Sequence, residues 1–417
     1  MELKVLQISD LHFCMEHLEE SSKCMDAAIE YAHATLPQVI AITGDSTHHR
    51  LDGHSRALRA LAERVRQLSN IAPVILLQGT FSHEPVGTIE MLAMVEGRFP
   101  IMVVNRLCQF ALMKDGTWDV SEGAVYTAEW VDAHCSEMVG LFTGVPTLNK
   151  AVLASNIGAQ EAAFEMGKYI HEYLLHAGKV NRLAREYGVP TVGLSHGTVH
   201  GCETEHGVPM MGFDHEFTSD DLFDAECSAF MLGHIHKHQV WMKEGRLVSY
   251  AGSNGRFHYG ELGVKGFLDW RIKAGSSTLE LIPAPAREMM YFDFSGPPAL
   301  DELREAAKAC HGAFVRVQWQ VDVEHSQAVT REQVLEIFSD AREVKIQVQI
   351  LKIQRSRSEG ISQLHSDESK LVKWAEITAI DSGPVVDRLT QLTNDSAVDI
   401  ANALLDKLKS NTVAVMS

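Results

Sequence analysis

Aspartates and histidines recur at the ends of strand-like runs in this chain, and that arrangement narrows the folds open to it more than any other feature. Asp10-Leu11-His12 follows the apolar run Val5 to Ile8, and Gly44-Asp45, Ser82-His83-Glu84, Ser195-His196 and Gly233-His234-Ile235-His236 each follow a further such stretch. In open α/β sheets the chain leaves the sheet at the carboxyl ends of its strands, several loops converge there, and ligands bind among them. Extended backbone points residues i and i+2 to one side, so Asp10 with His12, and His234 with His236, can each serve one cluster.

The rest of the first part supports such a sheet. Lys4 to Ser9, Val39 to Thr43, Val74 to Gln78 and Ile101 to Val104 read as buried strands, with a helix over Ser55 to Gln67. Alternation of this kind favours a largely parallel, helix-covered sheet. From Leu107 to Tyr187 the pattern turns irregular and then helical, with helices expected over Ala151 to Leu175 and Val180 to Glu186, and it reads as a helical insertion. Strands return at Thr191 to Leu194 and Ala229 to Leu232. Closely spaced β-type runs follow at Gln239 to Met242, Leu247 to Tyr250, Gly266 to Ile272 and Thr278 to Ile282. Turns such as Glu244-Gly245 and Ala274-Gly275 make this second half antiparallel in expectation.

Pro283-Ala284-Pro285 marks a domain edge, followed by a β-α-β-α-β module from Met289 to Ile353 and a polar stretch from Arg355 to Glu368. In the tail, Val385, Val386, Leu389, Leu392, Ile400, Ala403, Leu404 and Leu408 recur at helical spacing. The expected organisation is an α/β two-layered mixed sheet core flanked by helices over residues 1–285, an α+β capping domain over 286–355, and a linker with helical tail over 356–417. The apolar faces of the tail suit packing on their own domain or docking of another subunit.

At 417 residues the chain exceeds what one core holds, and its composition is that of an ordinary globular protein. No basic leader and no apolar stretch near membrane-spanning length is present, so a cytoplasmic protein is expected. The seven cysteines are scattered and never spaced as CxxC, which argues against a disulfide framework or a zinc ribbon. A net charge of −18 disfavours a polyanionic partner unless metal cations or a local basic patch offset it. Lys345, Lys352, Arg355 and Arg357 form a modest basic cluster in the small module.

Mixed carboxylate and imidazole donors suit manganese, iron or zinc, whereas magnesium and calcium prefer oxygen. One carboxylate shared by two ions forms a clamp for phosphoryl chemistry, and Asp45 is the residue expected to bridge. General acid–base catalysis alone supplies about 10² to 10⁴, too little for phosphate-ester hydrolysis. With 21 histidines in the chain, a lone one carries little information. His17, His54, His200, His206, His215, His238 and His258 lack the strand-end placement and read as solvated or structural, while His48, three residues after Asp45, is intermediate.

The ordered motifs resemble the calcineurin-like metallophosphoesterase superfamily, whose pattern runs Asp-x-His, Gly-Asp, Gly-Asn-His-Asp/Glu, His, Gly-His-x-His. A narrower resemblance, to nuclease subunits of the SbcD type, rests on Ile8 to His12, Gly233 to His236, Tyr250-Ala251-Gly252-Ser253, Gly260-Glu261, Lys265-Gly266-Phe267 and the small domain from about Glu288. It covers residues 1–105 and 190–355. By that resemblance one metal sits on Asp10, His12, Asp45 and His236, and the other on Asp45, His196, His234 and the residue matching the family's asparagine. His83 corresponds to the catalytic histidine, and His48 to a histidine that assists in the nuclease branch. The chain departs at Gly79-Thr80-Phe81-Ser82-His83-Glu84, where two residues are inserted and the asparagine is absent. Ser82 is the expected replacement ligand and Thr80 the alternative, with a weak second metal site.

The resemblance implies a manganese-dependent DNA nuclease, exonuclease or endonuclease, working in double-strand-break repair and recombination as a homodimer with an SbcC-like SMC/ABC ATPase. Two other readings compete. One is a stand-alone metallophosphatase or cyclic-nucleotide phosphodiesterase, although Asp45 is followed by Ser46-Thr47-His48-His49-Arg50 and not by the Gly-Asp-x-x-Asp-Arg-Gly of protein phosphatases. The other is a catalytically silent scaffold that binds DNA ends.

Overall fold

A computed structural model describes residues 1–149, 158–204, 215–261, 263–322, 328–351 and 360–414. Residues 151–157 of the helix expected from Ala151, together with His206, Lys352, Arg355 and Arg357, lie outside the described residues, as do the side chains of His215 and Leu408. Met1–Gln320 with Gln327–Gln349 form one compact unit, and Val321–Ser326 with Ile350–Ser417 form another.

The first unit is built on two facing sheets. Strands β1 (Glu2–Ile8), β2 (Val39–Ile42), β3 (Val74–Leu77) and β4 (Ile101–Val104) run parallel, and β14 (Gly266–Lys273) and β15 (Ser276–Pro283) extend the sheet antiparallel beside β1. The second sheet has the order β12-β13-β11-β8-β7-β5-β6, with β5 Cys108–Met113, β6 Trp118–Val120, β7 Met138–Val145, β8 Thr191–His196, β11 Ala229–Gly233, β12 Gln239–Lys243 and β13 Arg246–Tyr250. This is the mixed α/β, two-layered architecture that the alternation implied.

Alternation of side chains divides each strand between two cores. Leu3, Val5, Val39, Ala41, Ile75 and Leu77 meet Phe110, Phe142, Val192, Leu194 and Met231 between the sheets. Leu6, Ile8, Ile40, Ile42, Val74 and Leu76 turn the other way. They pack on helices α1 (Leu18–Thr35) and α2 (Arg56–Ser69), whose Met25, Ala28, Ile29, Leu58, Leu61 and Val65 fall at helical spacing. Ser55 caps α2 by accepting from the amide of Ala57 at 3.3 Å. Near the site, buried Gln7 ties the layers together, donating to the carbonyl of Leu232 at 2.9 Å and accepting from the Trp270 indole at 3.0 Å.

Three expectations are corrected. The stretch 107–187 is not a helical insertion alone, because β5, β6 and β7 belong to the second sheet and, among the described residues, one continuous helix, Ala159–Glu186, runs through the break expected between Leu175 and Val180. Gly140 and Gly144 interrupt the apolar run of β7 and hide it, and they are needed: a Cβ there would lie 2.9 Å from Leu3 or 2.4 Å from Val104 in the opposing sheet. Helix α1 was not anticipated. The second half is not one antiparallel sheet, since β13 runs parallel to β11 while β14 and β15 cross to the first sheet. The β12–β13 turn has both Glu244 (φ 54°) and Gly245 (φ 80°) left-handed, as a two-residue hairpin requires.

The small module is the expected β-α-β-α-β: β16 (Met289–Phe294), the helix Leu300–Ala307, β17 (Phe314–Asp322), the helix Arg331–Ile337 and β18 (Glu343–Leu351). Strands β16 and β17 are parallel. In the second unit, helices Asp367–Thr378, Gly383–Asn394 and Ala397–Ala414 leave Leu392, Val398, Leu404 and Leu405 exposed. Among the described residues no helix is long and apolar enough to cross a membrane.

Candidate metal centre

The loops after β1, β2, β3, β8 and β11 converge. The first two are stitched by backbone bonds from the amides of Asp10 to Gly44 (3.2 Å), His12 to Asp45 (3.0 Å) and Phe13 to Ser46 (2.9 Å). Close approach demands glycine at two places. A Cβ on Gly44 would lie 2.2 Å from Nδ1 of His196, and one on Gly233 would lie 2.0 Å from the carbonyl oxygen of Thr43. Four non-glycine residues at this crest have left-handed backbone: Asp10 (φ 52°), His12 (φ 46°), Asp45 (φ 51°) and His234 (φ 97°). Such conformations cost roughly 1–3 kcal/mol each and persist where the surroundings over-determine them.

Two donor groups result. Asp10, His12 and His236 form one, and Asp45, His196 and His234 form the other, with the donor atoms of each group within 4.8 Å of one another. Nε2 of His12 and Nε2 of His236 are 2.9 Å apart, and Nε2 of His196 is 3.3 Å from Oδ2 of Asp45. His83 joins His12 and His48 in a third group, its ring 4.9 Å from that of His12. His48 places Nδ1 at 3.4 Å from Nδ1 of His12. Thus Asp10, His12, Asp45, His48, His83, His196, His234 and His236 are brought together.

Ser82 is not among them, and this corrects the expected ligand. Its side chain is exposed, and Thr80 takes the inner position instead. The Thr80 amide donates to Oδ1 of Asp45 at 2.7 Å, and its hydroxyl lies 3.3 Å from both Oδ2 of Asp45 and Nε2 of His196. Amides of His83 and Glu84 both return to the Thr80 carbonyl, at 2.9 and 2.7 Å, so the inserted residues Phe81 and Ser82 loop outward. Glu84, fully buried, clamps this loop to the previous one by accepting from the amides of Ser46 and Gly79, each at 2.6 Å.

The electrostatics follow from burial and opposed charge. Burial raises the Asp45 carboxyl, but His196, His12 and His83 together hold it below the usual carboxylate range. Burial works against a charged His196 as well, and Asp45 outweighs it, lifting the imidazole to about 10. Asp10 is raised by burial in spite of His196 and His236. His234 falls to about 4, through burial and the neighbouring His196. His12 is pushed well down by burial and by His236.

Sequence reasoning gave no role to several residues that set this geometry. Nδ1 of His196 donates to the Thr43 carbonyl (2.8 Å), and Nδ1 of His236 lies 2.8 Å from Oε1 of Glu261. Each leaves Nε2 directed to its donor group, the arrangement usual for metal-binding histidines. His17, read as solvated or structural, is buried with its ring 5.2 Å from His48. Two carboxylates, four imidazoles and a hydroxyl, with imidazole nitrogens turned toward one another at 2.9 Å, fit a pair of divalent cations of the nitrogen- and oxygen-accepting kind.

No protein-family model matches the chain. Over 142 residues it is 31% identical to a protein named as the uncharacterized metallophosphoesterase YhaO of Bacillus subtilis, a match that covers 32% of this chain and spans about a third (33%) of that relative's length. Among solved structures it is similar to GAP50, the anchor in the inner membrane complex of Plasmodium (11% identical, 68% of this chain and 85% of that one, TM-score 0.42). It is also similar to a dimetal phosphatase from Danio rerio (14% identical, 67% and 98%, TM-score 0.37). Likenesses of that strength leave the chemistry to the residues. The likeness to the Bacillus subtilis protein covers part of each chain, and the paired donor groups are this chain's own.

Proposed function

We propose that this chain is a metal-dependent phosphodiesterase that cleaves DNA, as a homodimer working with an SMC-like ABC ATPase. The observation that carries the hydrolytic part is the side-by-side placement of Asp10/His12/His236 and Asp45/His196/His234 with His83 at their edge. Two cations held there, most suitably manganese, would neutralise charge on the phosphoryl group and activate the attacking water. The protein's own contribution is orientation. His83 donates Nδ1–H to the carbonyl of His48 at 2.5 Å, which orients the ring, and as an imidazolium it would give its Nε2 proton to the leaving oxygen of a substrate.

The choice of DNA is supported by a cavity of about 670 Å³ that runs from His48 past Phe257 to β17 and β18. Lys23, Arg287, Arg316, Arg342 and Lys345 line it and suit an extended anion. Glu16, Glu19, Glu20 and Glu343 are interleaved with them, and the chain carries −18 overall. Those acids favour the second reading, a stand-alone phosphatase or phosphodiesterase acting on a small ester.

Manganese-supported turnover of linear duplex DNA and of a bis-aryl phosphodiester, with and without the ATPase, separates the readings. His83→Ala is expected to slow DNA cleavage by about 10² to 10⁴ while metal uptake persists. Turnover of the small ester without DNA cleavage would establish the second reading. Hydrolysis absent from wild type, with ATPase binding intact, would make the chain a silent scaffold.

A further inference from the structure

The loop segment 251–261 carries a carboxylate with an unusual environment. Glu261 is 2% exposed and Lys265, four residues on, is 3% exposed. Oε1 of Glu261 lies 2.8 Å from Nδ1 of His236, and Oε2 lies 2.8 Å from Nζ of Lys265 and accepts from the Phe257 amide at 3.3 Å. Lys265 also donates to the carbonyl of His236 (2.9 Å) and to Oγ of Ser253 (2.8 Å). The same loop is tied to the metal crest by the amide of Asn254, which donates to Ser9, and by that of Ser253, which donates to His236.

Glu261 could be read as a ligand of a third ion with His236 and His258, since their donor atoms fall within 4.8 Å. Its bonding argues otherwise. Both oxygens are engaged, and an ammonium already supplies the positive charge that a cation would bring. From this geometry we infer that Glu261 is a positioning residue for the metal centre: it fixes His236 in the Nδ1–H tautomer with Nε2 facing Asp10 and His12, and Lys265 is the counter-ion that keeps it a pure acceptor. The inference rests on the proposed metal function but not on DNA as substrate. A buried carboxylate without Lys265 would face an uncompensated desolvation cost, and a carboxylate lost altogether would free the imidazole to turn.

Glu261→Gln tests the device. Its amide nitrogen would meet either the Lys265 ammonium or Nδ1–H, two donors in both cases; flipping it toward Nδ1 moves the imidazole proton to Nε2, the atom that must bind metal. Manganese titration calorimetry of the full chain is expected to show one of two ions bound about 10 to 100 times more weakly, with the other unchanged and Glu261→Asp regaining part of the loss. Folded Glu261→Gln protein that binds both ions as wild type does would overturn the inference. Should that variant not fold, wild-type protein with nitrogen-15 histidine, loaded with diamagnetic zinc, decides by resonance: Nδ1 protonated and Nε2 metal-bound on His236 supports it, and the reverse overturns it. Wild type that takes up no divalent ion overturns the metal centre as well, whereas intact binding without hydrolysis of any phosphoester removes only the proposed function.

Discussion

The two donor groups are alike in composition and unlike in how they are held. In the Asp45 group, His196 is oriented by a main-chain carbonyl, that of Thr43, just past the end of β2. In the Asp10 group, His236 is oriented by Glu261, a side chain on a long loop with its own counter-ion. A carbonyl comes with the fold whatever residue supplies it, so the first group is tied to the architecture. The second depends on particular side chains and can be tuned or lost by substitution.

The contrast is sharpest in the metal-free protein. His196→Ala leaves Asp45 buried opposite no cation of comparable proximity, and breaking such a pair costs about 3–5 kcal/mol. His236→Ala leaves Glu261 with Lys265, and a smaller loss is expected. Chemical denaturation of both variants measures the difference, and equal losses would erase the distinction.

A pH titration of stability is next in size. His236 and Lys265 outweigh burial and bring Glu261 down to about 2, below its unfolded value. A depressed carboxylate stabilises above its unfolded pKa and loses that contribution as pH falls through the folded one. The metal-free wild type should therefore lose on the order of 3 kcal/mol between about pH 5 and pH 2, and Glu261→Gln should lose less over the same window. Parallel curves would mean that the loop pair contributes nothing.

The smallest effect concerns Thr80, which belongs to the Asp45 group alone. Thr80→Val removes the hydroxyl that lies 3.3 Å from Asp45 and His196 but keeps the backbone bond, so about a tenfold loss of affinity for one ion is expected. Metal titration checks it. An equal loss in both groups would show that they do not act separately.

Much of this was legible because a strand end is a local feature. An apolar run followed by Asp-x-His or Gly-His-x-His announces both the sheet and the loop that leaves it, and the loops after β1, β2 and β11, with the last residue of β8, carry their donors where that rule puts them. Thr80 and Ser82 were a harder choice, since a tight turn through the Thr80 carbonyl decides which of the two faces inward. Glu261 was visible only as part of a resemblance, because its role depends on His236, 25 residues away, and on burial that spacing does not reveal. Strand β7 was lost behind glycines that let the two sheets touch.

The left-handed residues at Asp10, His12, Asp45 and His234 have one more consequence. Their torsional cost is met when the chain folds, by the packing of two whole sheets, and not when an ion arrives. Any ion held there would meet a rigid template, so the metal-free and metal-loaded forms of the chain are expected to be nearly superimposable.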